Sequence, residues 1–400
     1  MLLMKTQNTS ARTLLILIPT LLTFFLTVAP SWGQGSSPTK SCDSIFLSLP
    51  HPKSTVVPLK NTESVSTVRQ FSEIPVLRLM TYNVKNLFTH VGDFDRVGPN
   101  KFQKTKPSKD KPEQELIGVA QAINESNPDV IVMQEVEGQS VLEDFNNHYL
   151  NGQYQTFLTP GNDGRGIDIG FLLKKDLPLK VVKESYKNLQ WNDPADNNHP
   201  VPLFSRDLPT LLFYKKTDDP AKSQPLFVVI GNHGKSKRSR PGDPDSVQLR
   251  TAQYNQARLI VDSYLKRFGK DLPLLMAGDF NTDVRTEPEV ASLKERLSDV
   301  FDLVKVPESE RITHTFHPRG GATVQSQLDA ILVSNGLTHS ILQASIYRYK
   351  NKNGEIKPLP KTYNEREGNP SDHYPIIVDI STESIFHEIL QPAMDKAVGF

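Results

Sequence analysis

The chain has 400 residues, 37% hydrophobic and 23% charged, with a formal net charge of +1. That length suffices for one large α/β domain or two ordinary ones. The near-neutral balance excludes a protein that gathers nucleic acid or anionic lipid through its global field. A single cysteine, Cys42, excludes an internal disulfide framework.

At the N-terminus, Lys5 and Arg12 precede the apolar run LLILIPTLLTFFLTVAP, and small residues Ser31 and Gly33 precede Gln34. This order of basic, apolar and small residues predicts a secretory signal peptide over 1–33, cleaved before Gln34. The run is short for a membrane span and is broken by Pro19, which argues against an uncleaved anchor. The expectation is an exported protein, periplasmic or extracellular, with no stable membrane insertion after cleavage. Residues 34–75, rich in Ser, Thr, Pro and Lys, are expected to form a flexible linker.

Strands are predicted at 76–82, 129–134, 167–173, 210–215, 226–231, 273–278, 329–334 and 374–380, where β-branched and other apolar residues cluster. Helices are predicted at 112–126, with Leu116, Val119, Ala120 and Ile123 on one face, and at 247–268. Early alternation of strand and helix, then strands joined by long loops, points to a layered α/β sandwich with mixed sheets. Residues 383–400 are expected to be a C-terminal tail with a short helix interrupted at Pro392. Two loops are basic: 101–111 carries five lysines, and 234–246 carries Lys235, Lys237, Arg238 and Arg240. Each either tracks a phosphate backbone or is simply a solvated loop. Trp191 stands in a polar loop, 187–202, and is expected to pack that loop against the body rather than stack on a base.

Polar residues of a few types recur at the ends of these strands. Asn83 ends TYN, Glu135 follows VIVMQ, His233 ends VVIGNH, Asp279 and Asn281 lie in GDFN, Asp329 lies in QLD, and Asp372 and His373 lie in SDHYP. Open α/β sheets keep their chemistry at such ends. Glu135 with an amide oxygen from Asn83 suits a hard cation such as Mg²⁺ or Mn²⁺, whereas zinc lacks its usual short-spaced His or Cys ligands. Asp279 and Asn281 are placed to hold and deprotonate a water, and His233 and His373 to donate to phosphate oxygens. An acidic neighbour such as Asp329 would orient the His373 ring and keep it protonated. These parts describe metal-assisted hydrolysis of a phosphate ester.

The ordered set TYNVKNLF, MQEVE, LFSRDLPTLLFY, GNHGKSK, MAGDFNTD, QLDAILVS and SDHYPIIVD resembles the endonuclease/exonuclease/phosphatase superfamily, deoxyribonuclease I-like branch, over about residues 76–382. The resemblance implies a four-layer α/β sandwich, two packed mixed β-sheets flanked by helices, with the site at one rim. It implies Glu135 as principal metal ligand, Asn83 as a residue placing metal or phosphate, and Asp372 as a metal-site or supporting acid. It also implies Asp279 and Asn281 around the attacking water, Asp329 as partner of His373, and His233 as a proton donor whose acidic partner would be Asp168. Arg206 of FSRDLP resembles an arginine that grips substrate phosphate, and Lys235 and Lys237 are candidate phosphate contacts. The expected cofactor is Mg²⁺, with Mn²⁺ as an alternative and Ca²⁺ as a structural ion. The expected substrate is nucleic acid, DNA above all, cut internally with low sequence specificity. The alternatives are a sphingomyelinase-like or inositol-phosphate phosphoesterase on the same site, and a non-catalytic binding protein that retains the fold. No protein partner is implied.

Overall fold

Strands buried on both faces are built from near-continuous apolar runs, and the central segments of this chain have that character. The computed structural model describes residues 55–56, 68–89, 110–318, 321–383 and 385–386. In chain order its main elements are β1 (Val76–Leu87), α1 (Glu113–Ser126), β2 (Val130–Val136), α2 (Gln139–Tyr149), β3 (Tyr154–Leu158), β4 (Asp168–Lys174), β5 (Leu179–Glu184), β6 (Thr210–Lys215), β7 (Phe227–His233), α3 (Val247–Phe268), β8 (Leu274–Asp279), β9 (Asp329–Val333), β10 (Ile341–Ile346) and β11 (Ile376–Ser381).

Two mixed sheets result. The first runs β5-β6-β7-β8-β9, with short strands Thr55–Val56 and Ser298–Asp299 at its two edges; the second runs β10-β11-β1-β2-β4-β3. Each sheet has one parallel pair, β7 with β8 and β1 with β2. Between the sheets, Leu79, Val132 and Phe171 meet Phe213, Val229 and Leu275 in one apolar core. Helix α3 covers the outer face of the first sheet through Tyr254, Ala257, Ile260 and Val261. Helices α1 and α2 cover the second through Leu116, Val119, Ile123, Leu142 and Phe145. The architecture is therefore the expected four-layer sandwich.

The topology decides where the polar strand ends meet. Parallel strands β7 and β8 finish at one rim, and antiparallel β9 begins there, so His233 pairs with Asp279 and Asp279 with Asp329 in register. In the second sheet β1 and β2 finish together, with Asn83 opposite Gln134, and antiparallel β4 begins with Asp168 opposite Val136.

At both ends the domain extends beyond the expected boundaries. Of the linker predicted at 34–75, residues 55–56 pair with β5, and Ile74 is buried in the core. Arg69 reaches Asp129 at 2.8 Å and Asp176 at 2.9 Å. Of the tail predicted at 383–400, Ile385 and Phe386 are buried, with Phe386 edge-on to Phe71. Apolar residues in an otherwise polar stretch found core positions to fill. The predicted signal peptide, the lysines at 101–109 and the interrupted helix beyond residue 386 lie outside the described residues.

Candidate active site

Asp279 is the hub of the rim. Gly278 immediately before it has φ of +153°, and a Cβ there would lie 1.8 Å from the Asn232 carbonyl oxygen, so β7 and β8 approach this closely only with glycine. The Asp279 Oδ1 accepts the Asn281 backbone N–H at 2.7 Å, and its Oδ2 accepts Asn281 Nδ2 at 3.0 Å. Asn281 has φ of +53°, a left-handed conformation that Asn tolerates, and this folds its amide back onto the carboxylate. Asn83 of the other sheet donates to the same Oδ2 at 3.0 Å, tying the two sheets together at the site.

Two imidazoles face this carboxylate. His373 Nδ1 lies 2.8 Å from Asp329 Oδ2, and its Nε2 lies 3.9 Å from Asp279 Oδ2. Burial alone would lower its pKa, but Asp329, Asp279 and Asp372 outweigh burial and push it up to about 10. His373 is therefore an imidazolium at neutral pH. His233 Nε2 lies 3.6 Å from the same Asp279 oxygen. Burial, then the charges of Arg206, Arg165 and His373, hold His233 well below the usual imidazole range, so it is neutral. Asp279 itself is raised, chiefly by burial, with His373 pulling in the opposite direction.

Glu135 ends β2 in a left-handed conformation, φ +67°, and its Oε2 accepts the Asn86 N–H at 2.9 Å. The Asn83 Oδ1 accepts the Lys85 N–H at 3.1 Å, which leaves it a second lone pair. These oxygen donors at a half-buried carboxylate fit a hard divalent cation. Asp279, Asp329 and His373 also offer ligand atoms within 4.8 Å of one another. There, however, the imidazole is committed to Asp329 as a cation, which is a poor metal ligand. Asp372 lies 3.7 Å from Arg366 Nη1. Burial would raise its carboxyl, but His373, His314, Lys85 and Arg366 outweigh that and lower it, so its neighbours are basic groups.

Other expected residues take different places. Asp168 does not pair with His233: its Oδ1 accepts the Gly161 N–H at 2.7 Å, while His233 Nδ1 is buried without a hydrogen-bond partner. Arg206 is 4% exposed, donating to the Gly234 carbonyl at 3.0 Å and lying 2.9 Å from Asp163, so it braces the turn after His233. Lys237 is exposed and paired with Glu287. Arg240 pairs with Asp193, while Lys235 is half-buried. Trp191 sits in a hairpin of Gln190–Asp193 with His199–Pro202 and packs partly against the outer core, as expected.

His314 had no sequence signal. A hairpin of His314–Phe316 with Val324–Ser326 docks on the SDH turn, Thr315 N–H donating to the Asp372 carbonyl at 3.2 Å. Its ring centroid lies 4.5 Å from that of His373. Burial, then the charge on His373, pushes His314 down to about 3, so a neutral ring lies against the charged one.

The fold and this rim define a phosphoesterase-type α/β sandwich. The model of the Endonuclease/Exonuclease/phosphatase family matches residues 78–382, and the chain belongs to that family, whose members are divalent-metal-dependent phosphoester hydrolases. Truncated TDP2 of Caenorhabditis elegans is similar in structure, with a TM-score of 0.50 and 14% identity over 76% of this chain and 98% of that one. D. rerio TDP2 complexed with a single-strand DNA product is 16% identical, with a TM-score of 0.48 over the same shares. The mannosyl-6-phosphatase of Bacteroides thetaiotaomicron is 18% identical, with a TM-score of 0.46 over 76% of this chain and 98% of that one. No curated protein matches the sequence. Among the described residues, no helix is long and apolar enough to cross a membrane.

Proposed function

We propose that this chain is an exported, metal-dependent phosphodiesterase that cuts DNA with low sequence specificity. The observation that carries the reading is the convergence of a charged and a neutral imidazole Nε2 on one Asp279 oxygen, at 3.9 and 3.6 Å. Both gaps exceed a hydrogen bond, so neither Nε2 is committed to Asp279, and one cationic and one neutral ring remain open to a phosphate oxygen. Glu135 and the Asn83 amide oxygen would hold Mg²⁺ or Mn²⁺, which when bound supplies charge neutralisation at phosphate.

The protein's own groups divide the remaining work. Asp279, raised by burial toward neutrality, accepts the proton of the attacking water, and Asn83 and Asn281 hold its carboxylate in position. His373 donates to the phosphate oxygen on which charge develops, with Asp329 holding the ring's tautomer and charge. His233, neutral, adds a hydrogen bond without a second full charge.

A polymeric polyanion is supported by the surroundings of Lys235. Burial, then Arg206, Arg240, Arg165 and Arg250, lowers its ammonium to about 8, and this half-buried cation stands two residues from His233. A cation there suits a neighbouring phosphate and carries no base readout. Export is supported by the basic, apolar and small-residue order of residues 1–33.

Supercoiled plasmid incubated with protein from Gln34 onward tests the proposal. Nicking and linearisation in Mg²⁺ are expected, lost in EDTA and in His373→Ala protein. Folded wild-type protein that leaves the plasmid intact would overturn the DNA reading. Sphingomyelin and inositol phosphates would then be the substrates to try.

A further inference from the structure

We infer that Lys111 is a positioning residue for the cation-holding half of the site, acting through the Lys85–Asn86 bulge near the end of β1. This rests on the proposed role of Glu135 and Asn83 as the pair that holds the metal. Lys111 closes a lysine-rich run that reads as a phosphate-binding or solvated loop, yet its side chain is only 1% exposed. Its ammonium donates to the Lys85 carbonyl at 3.0 Å, the Pro370 carbonyl at 2.8 Å and Glu115 Oε2 at 2.7 Å. An ammonium has three donors, and all three are used. Lysine is almost never fully buried unless paired, and here two of its three partners belong to site segments.

Those two acceptors bracket the site. Lys85 and Asn86 are consecutive non-glycine residues with φ of +52° and +54°, a conformation L-residues disfavour. In that shape two amides of the bulge reach side chains of the site. The Lys85 N–H fixes the Asn83 Oδ1 and the Asn86 N–H fixes the Glu135 Oε2. Pro370 precedes Ser371, whose Oγ donates to the Asn83 carbonyl at 2.8 Å and accepts the His373 N–H at 3.1 Å. One buried ammonium thus ties the amides that orient both metal-holding side chains to the turn that carries His373. Without it, the Lys85 carbonyl loses a charged donor and the bulge is free to relax, taking the two amides with it.

The test is Mg²⁺ binding by calorimetry to wild-type protein and to Lys111→Met and Lys111→Gln. Val261→Ala, a truncation under the opposite sheet, is the control for lost stability alone. Groups that orient metal ligands typically contribute ~10-fold or more in metal affinity, so both Lys111 variants are expected to bind Mg²⁺ at least ~10-fold more weakly. Val261→Ala, with a comparable fall in melting temperature, is expected to keep wild-type affinity. If the methionine protein does not fold, the glutamine variant, which retains a neutral amide donor group, decides the matter. Wild-type affinity in a folded Lys111 variant would overturn the inference and leave the site reading intact. Wild-type protein that binds no Mg²⁺ would overturn the metal reading, and this inference with it.

Discussion

Removing the charge of Asp329 should convert His373 from a cation to a neutral ring. The lift of His373 from 6.5 to about 10 corresponds to ~5 kcal/mol in favour of the imidazolium, at ~1.4 kcal/mol per pH unit. A unit charge pair at the 2.8 Å separation of His373 Nδ1 and Asp329 Oδ2 contributes ~6 kcal/mol at an effective dielectric of about 20. Burial opposes the lift more strongly than any single neighbour favours it, so Asp329 supplies the largest favourable share and Asp279 and Asp372 complete it. In Asp329→Asn the amide keeps a hydrogen-bonding group but not the charge, and burial then pulls His373 below its ordinary value. Initial rates of phosphodiester hydrolysis measured from pH 5.5 to 9.5 should show wild-type activity retained on the alkaline side. The variant should lose activity as pH rises through neutrality, with kcat at pH 8 lower by ~10²-fold or more, the usual effect of losing one donor at a developing anion. A variant profile that overlays the wild-type one would refute the idea that Asp329 works by holding His373 charged.

Three further outcomes are expected. Asp168, which burial pushes up to about 7, retains a proton in the native state that the unfolded chain releases near 3.8, so stability falls as pH rises through that window. Asp168→Asn should flatten that part of the melting temperature against pH and leave the site's activity in place; an unchanged slope would remove Asp168 as the cause. Lys237→Ala breaks only an exposed pair with Glu287 and should cost ~1 kcal/mol of stability or less, with plasmid cleavage little altered. A large fall in cleavage would restore Lys237 as a phosphate contact. Gly278→Ala sets a Cβ against the Asn232 carbonyl and should destabilise the protein by ~3 kcal/mol or more in urea unfolding, since backbone must move to relieve it. A near-neutral result would mean that β7 and β8 adjust at low cost.

The polar rim was legible because its parts lie at the ends of strongly apolar runs. Strand ends can be located from pattern alone, and mixed topology then brings Asn83, His233, Asp279, Asp329 and His373 to one edge. Burial of individual charges was not legible. Arg206 and Lys111 have the composition of phosphate contacts, and only the packed chain shows them donating to backbone carbonyls. Nor could pattern show that His233 lacks Asp168, because which acid a strand-end histidine faces depends on strand order. Strands β3, β5 and β10 escaped notice for a related reason. LKVVKE is short and lysine-bounded, and ILQASI lies at a sheet edge with half its residues exposed. An edge strand is held by its neighbour more than by its own pattern. Helix α2 carries only three buried apolar residues, Val141, Leu142 and Phe145, too few for the period to stand out.

The division of the rim into a cation-holding half and a proton-handling half is tested most directly by anomalous scattering from crystals soaked in Mn²⁺. A peak beside Glu135 and the Asn83 amide oxygen is expected, with Asp329 and His373 still joined by their hydrogen bond. A peak centred instead among Asp279, Asp329 and His373 would contradict it, because those residues would then be metal ligands and the charged imidazole would have no place.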